Sequence, residues 1–182
     1  LALAAARELW PDARALVLYD SGHCDYADWP DADLSATRES LAASASEDTE
    51  LPSWEALVEL LRDEGLDQPW TLDAWREAVD ELPDGTVRLR CDPVARGAAL
   101  YELTNARPSR SWPALAAAGV PTLLVLATEP ASVADANERL VPAFEAAVPQ
   151  ACVVRPGCRH QVFADLGRGA GELTADWLLG LP

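Results

Sequence analysis

The chain has 182 residues, of which 49% are apolar, enough to bury one hydrophobic core. Its formal net charge of -16 would repel phosphate backbones and anionic lipid headgroups, which excludes nucleic acid and membrane surfaces as partners. The longest apolar stretch, residues 115–127, is interrupted by Gly119 and Pro121 and is too short to cross a bilayer. We therefore expect a cytoplasmic protein whose ligand is a small molecule.

The N-terminal residues, LALAAARELW, differ from a signal peptide. No basic residue precedes the apolar run, and no small-residue cleavage site follows it. The pattern predicts instead a buried helix over residues 1–9, and the sequence contains no methionine. We therefore expect the natural protein to begin before Leu1.

After this helix the chain alternates between extended and helical patterns. A continuous apolar strand is predicted at 15–19, of the kind found in parallel sheets that are covered on both faces. Further strands are predicted at 122–127 and 151–155, separated by an amphipathic helix at 135–148 and followed by a helix at 170–179. This order predicts an α/β fold with a doubly covered parallel sheet.

A long insertion interrupts the alternation. Ser53 and Thr71 are placed to cap two helices, the second of which carries Val79 on its apolar stripe. A turn and a short alternating segment follow at 84–92, but the insertion as a whole predicts a small helical cap and not a sheet layer. The predicted domains are residues 1–24 (core helix and strand), 25–112 (helical cap) and 113–182 (C-terminal core strands and helices).

Four segments resemble parts of one known family, and one of them is LALAAARELW (1–10), which resembles the helix that follows the family's nucleophile turn. A strand, then Gly157-x-x-His160, then Asp165 and a closing helix resemble the histidine loop of the α/β-hydrolases. The segment GVPTLLVLATEP (119–130) resembles the penultimate strand and the acid-bearing turn, and PDARALVLYDSG (11–22) resembles the strand before the cap. The chain thus resembles the C-terminal part of an α/β-hydrolase. The resemblance implies esterase-like hydrolysis of a small ester or related carbonyl substrate.

The same resemblance implies that His160 is the general base. An imidazole activates a hydroxyl by accepting its proton, and a carboxylate stabilises the imidazolium that forms. Glu129 is the predicted acid, since it follows the strand after which the family usually has Asp or Glu, although the turn ATEP (127–130) departs from the common Gly-Asp-x-Asp pattern. Asp20 is the alternative acid, because some members place the acid after the earlier strand.

No nucleophile is predicted within the chain. The Gly-x-Ser-x-Gly turn of the family does not occur, and Ser21 and Ser132 lack its strand–turn–helix context. Cys24 and Cys158 belong to four scattered cysteines without a Cys-x-x-Cys pair, so we predict no thiol nucleophile, no metal site and no cofactor. The resemblance implies that the nucleophile lies before Leu1, in the N-terminal half of the same protein, which would be the partner of this chain.

Three further residues are candidates for contact with a substrate. His23 follows a strand end, and Trp54 and Trp75 lie in the predicted cap, where they would either line a site or pack the cap together. The reaction depends on the missing nucleophile, since serine would give esterase-type chemistry and aspartate would give epoxide or haloalkane hydrolysis. The alternative from another class is a catalytically incomplete fragment or a non-catalytic binding segment.

Overall fold

The computed structural model describes residues 13–30, 32–47, 50–63 and 65–181, so the helix predicted at 1–9 lies outside the described residues. The strands are β1 (Leu16–Tyr19), β2 (Glu50–Leu51), β3 (Val79–Glu81), β4 (Val87–Leu89), β5 (Thr122–Val125) and β6 (Ala151–Val154). The α-helices are α1 (Arg38–Glu47), α2 (Trp54–Asp63), α3 (Pro69–Glu77), α4 (Pro93–Thr104), α5 (Trp112–Ala118), α6 (Ala131–Ala147), α7 (Val162–Leu166) and α8 (Arg168–Leu179). Within these described ranges, no helix has both the length and the apolar character needed to cross a membrane.

The described chain forms two compact units. The core unit contains the residues up to Ala32 and those from Ala106 onward, and the inserted unit is Asp33–Asn105. In the core unit β1, β5 and β6 form a parallel sheet with β5 in the centre, where Leu16 pairs with Thr122 and Thr122 with Ala151. The predicted α/β fold with a parallel sheet is confirmed.

The core sheet is covered on both faces because its side chains alternate. Leu18 and Leu124 lie on one face, where they pack with Leu115 of α5 and with Val141 and Phe144 of α6. On the opposite face, the neighbouring positions Leu123 and Val125 pack with Val162 of α7 and Ala170 of α8. All four residues of β5 are buried, as expected for the central strand of a doubly covered sheet.

The inserted unit corrects the prediction of a purely helical cap. Besides α1 to α4 it contains an antiparallel sheet of order β2-β4-β3, in which Val79 pairs with Leu89. Val79 therefore lies on a strand and not on the stripe of the preceding helix, which ends at Glu77. β4 lies within the alternating segment predicted at 84–92. β2 and β3 have two and three residues, too few to display an alternating pattern, so the sheet itself is not predicted.

The borders of the inserted unit also differ from the predicted range 25–112. The Asp25 carboxylate accepts hydrogen bonds from the backbone N–H and the Oγ–H of Ser109, at 3.0 and 2.7 Å. The indole Nε1–H of Trp112 donates to the Gly22 carbonyl at 2.9 Å, and its ring packs edge-on against Phe144. These contacts place the two segments that flank the inserted unit in the core unit.

We predict that Leu124→Ala lowers the free energy of unfolding by about 2–5 kcal/mol, because it opens a cavity under a fully buried strand. Leu179→Ala is the matched control, since the same atoms are removed from a side chain that is 85% exposed. Urea titration measures both. An equal loss of stability in the two variants would contradict the assignment of Leu124 to the core.

Candidate active site

Asp20 directly follows β1 and lies at the end of the sheet where all three parallel strands finish. Its backbone has a φ of 42°, in the left-handed region, which costs most residues roughly 1–2 kcal/mol but which Asp and Asn tolerate best. The carboxylate is buried, and its Oδ1 accepts hydrogen bonds at 2.9 Å from the Ala127 N–H and from the Asn137 amide. Those two donors leave Oδ2 for a third partner.

That third partner is His160, on the loop after β6. Its Nδ1 lies 2.7 Å from Asp20 Oδ2, and since the carboxylate is ionised, Nδ1 carries the proton and donates it. Unlike Asp20, the His160 side chain is 65% exposed. No described residue forms a hydrogen bond with Nε2, so in the neutral imidazole this nitrogen presents a free lone pair, as a general base requires.

The two groups shift each other's pKa toward the ion pair. The pKa of His160 is raised above 6.5 by the hydrogen bond to Asp20 and by the carboxylate charge, against the opposing effect of partial burial. Burial alone would raise the pKa of Asp20, but the hydrogen bonds from His160, Ala127 and Asn137 and the charge of His160 lower it below 3.8. Asp20 is therefore an anion at neutral pH.

The histidine loop is closed by an ion pair next to His160. Asp165 Oδ2 accepts the backbone N–H of Arg159 at 2.6 Å, and the Arg159 guanidinium donates to both carboxylate oxygens. These hydrogen bonds lower the pKa of Asp165, although burial opposes the shift. Because one carboxylate holds both the backbone and the side chain of Arg159, the residue that precedes the imidazole is fixed in place.

Two further polar side chains extend the site into the core unit. Asn137 of α6 is 1% exposed and donates from Nδ2 to Asp20 Oδ1 and, at 3.0 Å, to the Ala127 carbonyl. Its Oδ1 lies 3.0 Å from Nε2 of His23, which is 2% exposed. His23, a candidate for substrate contact from the sequence, is thus joined to Asp20 through Asn137.

Asn137 was missed by the sequence analysis, although a signal was present. It occupies the same helical stripe as Val141, Phe144 and Val148, all of which are fully buried. A single amide on an otherwise apolar stripe needs a buried polar partner. That rule predicts a polar neighbour in the core, but not that the neighbour is Asp20.

The structure places Asp20, the alternative acid from the sequence, and not Glu129 beside His160. The backbone N–H groups of Thr128 and Glu129 both point at the Cys158 carbonyl, at 2.9 and 3.1 Å. The Glu129 side chain is exposed, and a Cβ on Gly157 would lie 3.8 Å from its Oε1. The turn that follows β5 therefore contacts the histidine loop through its backbone, while the carboxylate of Glu129 lies near Gly157.

The remaining candidates are the tryptophans of the inserted unit and the cysteine thiols. Trp54 and Trp75 are half-buried against the apolar cluster of the inserted unit, and the Arg76 guanidinium lies 4.1 Å from the centre of the Trp54 ring. Burial and neighbouring carboxylates raise the pKa of Cys24 and of Cys158 to about 11, so neither thiol is activated as a nucleophile. The described residues contain no cluster of His, Cys, Asp and Glu side chains arranged to hold a metal ion.

Neither a family model nor a curated protein matches the sequence, but solved structures with a similar fold do match the structure of this chain. The thioesterase domain from the curacin biosynthetic pathway is similar with a TM-score of 0.62 and 16% identity, over 96% of this chain and 62% of that chain. The M. tuberculosis esterase Rv0045c is similar with a TM-score of 0.53 and 18% identity, over 97% of this chain and 59% of that chain.

The chain has an α/β-hydrolase fold. It spans 62% and 59% of the lengths of those two structures, so it corresponds to part of each. In α/β folds functional groups collect at the carboxyl ends of the parallel strands. Asp20 after β1, Ala127 after β5 and His160 after β6 all lie there, which gives this α/β-hydrolase fold a polar centre at its functional edge.

We predict that Asp20→Asn lowers the pKa of His160, measured by NMR titration of the imidazole C–H signals. Because the pKa is raised in the folded state, the ionic interaction stabilises the fold fully below about pH 6.5 and is lost as the pH rises through the raised value. The loss of unfolding free energy caused by Asp20→Asn should therefore be larger at about pH 6 than at about pH 9.

Glu129→Gln is the matched control for that titration. It removes a carboxylate from the adjacent strand end without touching the hydrogen bond between Asp20 and His160. We expect the pKa of His160 to change much less in this variant than in Asp20→Asn. A larger shift on Glu129→Gln would mean that Glu129 is the carboxylate that pairs with His160.

Proposed function

We propose that this chain supplies the general base, His160, and the acid, Asp20, of an α/β-hydrolase triad. The observation that carries the proposal is the 2.7 Å hydrogen bond from His160 Nδ1 to the buried Asp20, which leaves Nε2 of the neutral imidazole without a hydrogen-bond partner among the described residues. An imidazole held in this tautomer accepts a proton at Nε2, and the buried carboxylate stabilises the cation that results.

The proposed reaction is acyl transfer to water in two steps. A hydroxyl oxygen attacks the substrate carbonyl while its proton moves to His160 Nε2, and the imidazolium then protonates the leaving alcohol or thiol. A water molecule next attacks the acyl-enzyme and gives a proton to the same nitrogen, which passes it to the nucleophile oxygen as the bond to the acyl group breaks. The carboxylic acid leaves, and the hydroxyl and the neutral imidazole are regenerated. Asp20 stays ionised throughout and keeps Nδ1 protonated.

The nucleophile is proposed to lie in the N-terminal half of the natural protein, before Leu1. The 182 residues contain no Gly-x-Ser-x-Gly turn, and the two similar structures are each longer than this chain. In the described part of the chain β1 pairs on one side only, with β5, so its other edge is available for further parallel strands. A strand that ends beside β1 would bring its loop next to Asp20 and His160.

The proposed substrate is a small ester or thioester. The two similar structures are named as a thioesterase domain and an esterase, and both activities cleave an acyl bond to oxygen or sulfur. With 30 acidic and 14 basic residues, the chain is strongly anionic, which disfavours polyanionic substrates. An aspartate nucleophile, which would give epoxide or haloalkane hydrolysis, is the alternative outcome of the test.

We predict that His160→Ala in the natural protein lowers kcat/KM for a p-nitrophenyl ester or a short acyl thioester by on the order of 10²- to 10⁴-fold. Asp20→Asn should also reduce the rate strongly, because the uncharged amide no longer stabilises the imidazolium. Glu129→Gln should retain most of the activity. Steady-state hydrolysis of the three variants beside wild type measures these effects.

Retained activity in His160→Ala would overturn the assignment of the base. A greater loss in Glu129→Gln than in Asp20→Asn would return the acid to Glu129. If wild-type protein hydrolyses neither ester nor thioester but opens an epoxide, the nucleophile is aspartate. If it hydrolyses none of these compounds, the non-catalytic alternative is favoured.

A further inference from the structure

Asn137 and His23 are hydrogen-bonded to each other, and the groups that face them determine which atom donates and which accepts. Asn137 Nδ2 faces two pure acceptors, Asp20 Oδ1 at 2.9 Å and the Ala127 carbonyl at 3.0 Å. The amide must therefore turn its NH₂ group toward them and its Oδ1 toward His23. Since Oδ1 only accepts, His23 Nε2 must carry a proton and donate it across the 3.0 Å contact.

The buried hydrogen bond between His23 and Asn137 comes at a cost in folding stability, which argues against a purely structural role for the two residues. His23 and Asn137 are 2% and 1% exposed, and His23 Nδ1 accepts no hydrogen bond from any residue that the structure describes. A buried acceptor without a donor costs about 1–3 kcal/mol, and apolar side chains of similar shape would avoid this cost. The neighbouring positions on the same stripe of α6, Val141 and Phe144, are apolar.

We propose that Asn137 and His23 are positioning residues for the proposed base, an inference that rests on the proposed function. Asn137 donates a neutral hydrogen bond to Asp20 Oδ1, so that Oδ2 faces His160 and fixes the imidazole with its proton on Nδ1. His23 keeps the Asn137 amide in its required orientation, and Asn137 keeps the carboxylate from rotating. Neither side chain exchanges a proton with the substrate.

That Asn137 and His23 are both uncharged matters for the electrostatics of Asp20. Burial lowers the pKa of His23, and the nearby charge of His160 acts in the same direction, while Asp20 and the Asn137 hydrogen bond oppose the shift. Because the pKa of His23 is lowered and that of His160 is raised, His23 remains uncharged at the pH at which His160 becomes protonated. The negative charge of Asp20 is thus not shared with a second cation and is available to the imidazolium of His160.

The test compares variants that remove or restore the hydrogen bonds donated by Asn137 and His23. Asn137→Ala removes the amide, and His23→Phe keeps a ring but removes its donor. His23→Gln restores an N–H at the position of Nε2. Val141→Ala, one turn further along α6, is the control for lost stability, because Val141 is equally buried and belongs to the apolar core cluster.

The first readout is the ¹⁵N spectrum of the histidine rings in the folded proteins. We expect wild type to show His23 with its proton on Nε2 and neutral His160 with its proton on Nδ1. Asn137→Ala and His23→Phe should give His160 a mixture of tautomers, whereas His23→Gln and Val141→Ala should keep the wild-type signal. A single Nδ1–H tautomer of His160 in both Asn137→Ala and His23→Phe would overturn the proposal.

The second readout is the kinetics of ester hydrolysis by the natural protein. Because the two residues act on the base and not on substrate binding, we expect kcat to fall on the order of 10- to 100-fold in Asn137→Ala and His23→Phe, with little change in KM. His23→Gln should recover most of the rate. An unchanged kcat in the first two variants, or an equal fall in Val141→Ala, would contradict the proposal.

The two readouts separate this inference from the proposed function. If wild-type protein lacks hydrolase activity but its His160 tautomer depends on Asn137 and His23 as expected, the hydrolase proposal fails and the positioning role is supported. If His160→Ala abolishes turnover while the tautomer and kcat do not respond to Asn137→Ala or His23→Phe, the proposed function survives and the positioning role is wrong.

Discussion

The buried carboxylate of Asp20 is the constraint on which the rest of the site depends. A carboxylate that is ionised and removed from water must be matched by hydrogen-bond donors. Its donors are the Ala127 backbone after β5, the Asn137 amide on α6 and His160 after β6. Each donor comes from a different segment, so the site exists only when the sheet is assembled in the order β1-β5-β6.

This constraint also explains why Asp20 and His160 reach each other across a strand. β5 lies between β1 and β6, and Asp20 must pass over the end of β5 to meet His160. The left-handed backbone of Asp20 is part of the turn that leaves β1 at this point, and the Ala127 N–H beneath it supplies a donor on the way. The strain at Asp20 is offset by the hydrogen bonds that its carboxylate makes.

Much of the fold could be predicted from the sequence, because apolar strands such as β1 and β5 have an unmistakable local pattern. His160 was found through its loop, in which a glycine and a histidine follow a strand. The local sequence could not show which of Glu129 and Asp20 pairs with His160, since both residues follow a strand. It depends on where the side chains point, and the backbone of the Glu129 turn is held by the Cys158 carbonyl while its carboxylate is exposed.

The antiparallel sheet of the inserted unit and the role of Asn137 were not predicted, for different reasons. Strands of two or three residues carry too few alternations to be told from loops, and their stability comes from pairings such as Val79 with Leu89. Asn137 stands out as an amide on an apolar stripe, but its role follows only from the buried acceptors that face it, Asp20 and the Ala127 carbonyl.

The central claim is that this chain holds the acid and base for a nucleophile outside its 182 residues. The most direct test is to treat the natural protein with a fluorophosphonate, which phosphonylates an activated hydroxyl, and to map the adduct by peptide mass spectrometry. We predict one labelled serine in a peptide that precedes Leu1, and labelling that is lost in His160→Ala. Labelling at Ser21 or Ser132, or labelling that does not depend on His160, would contradict the account.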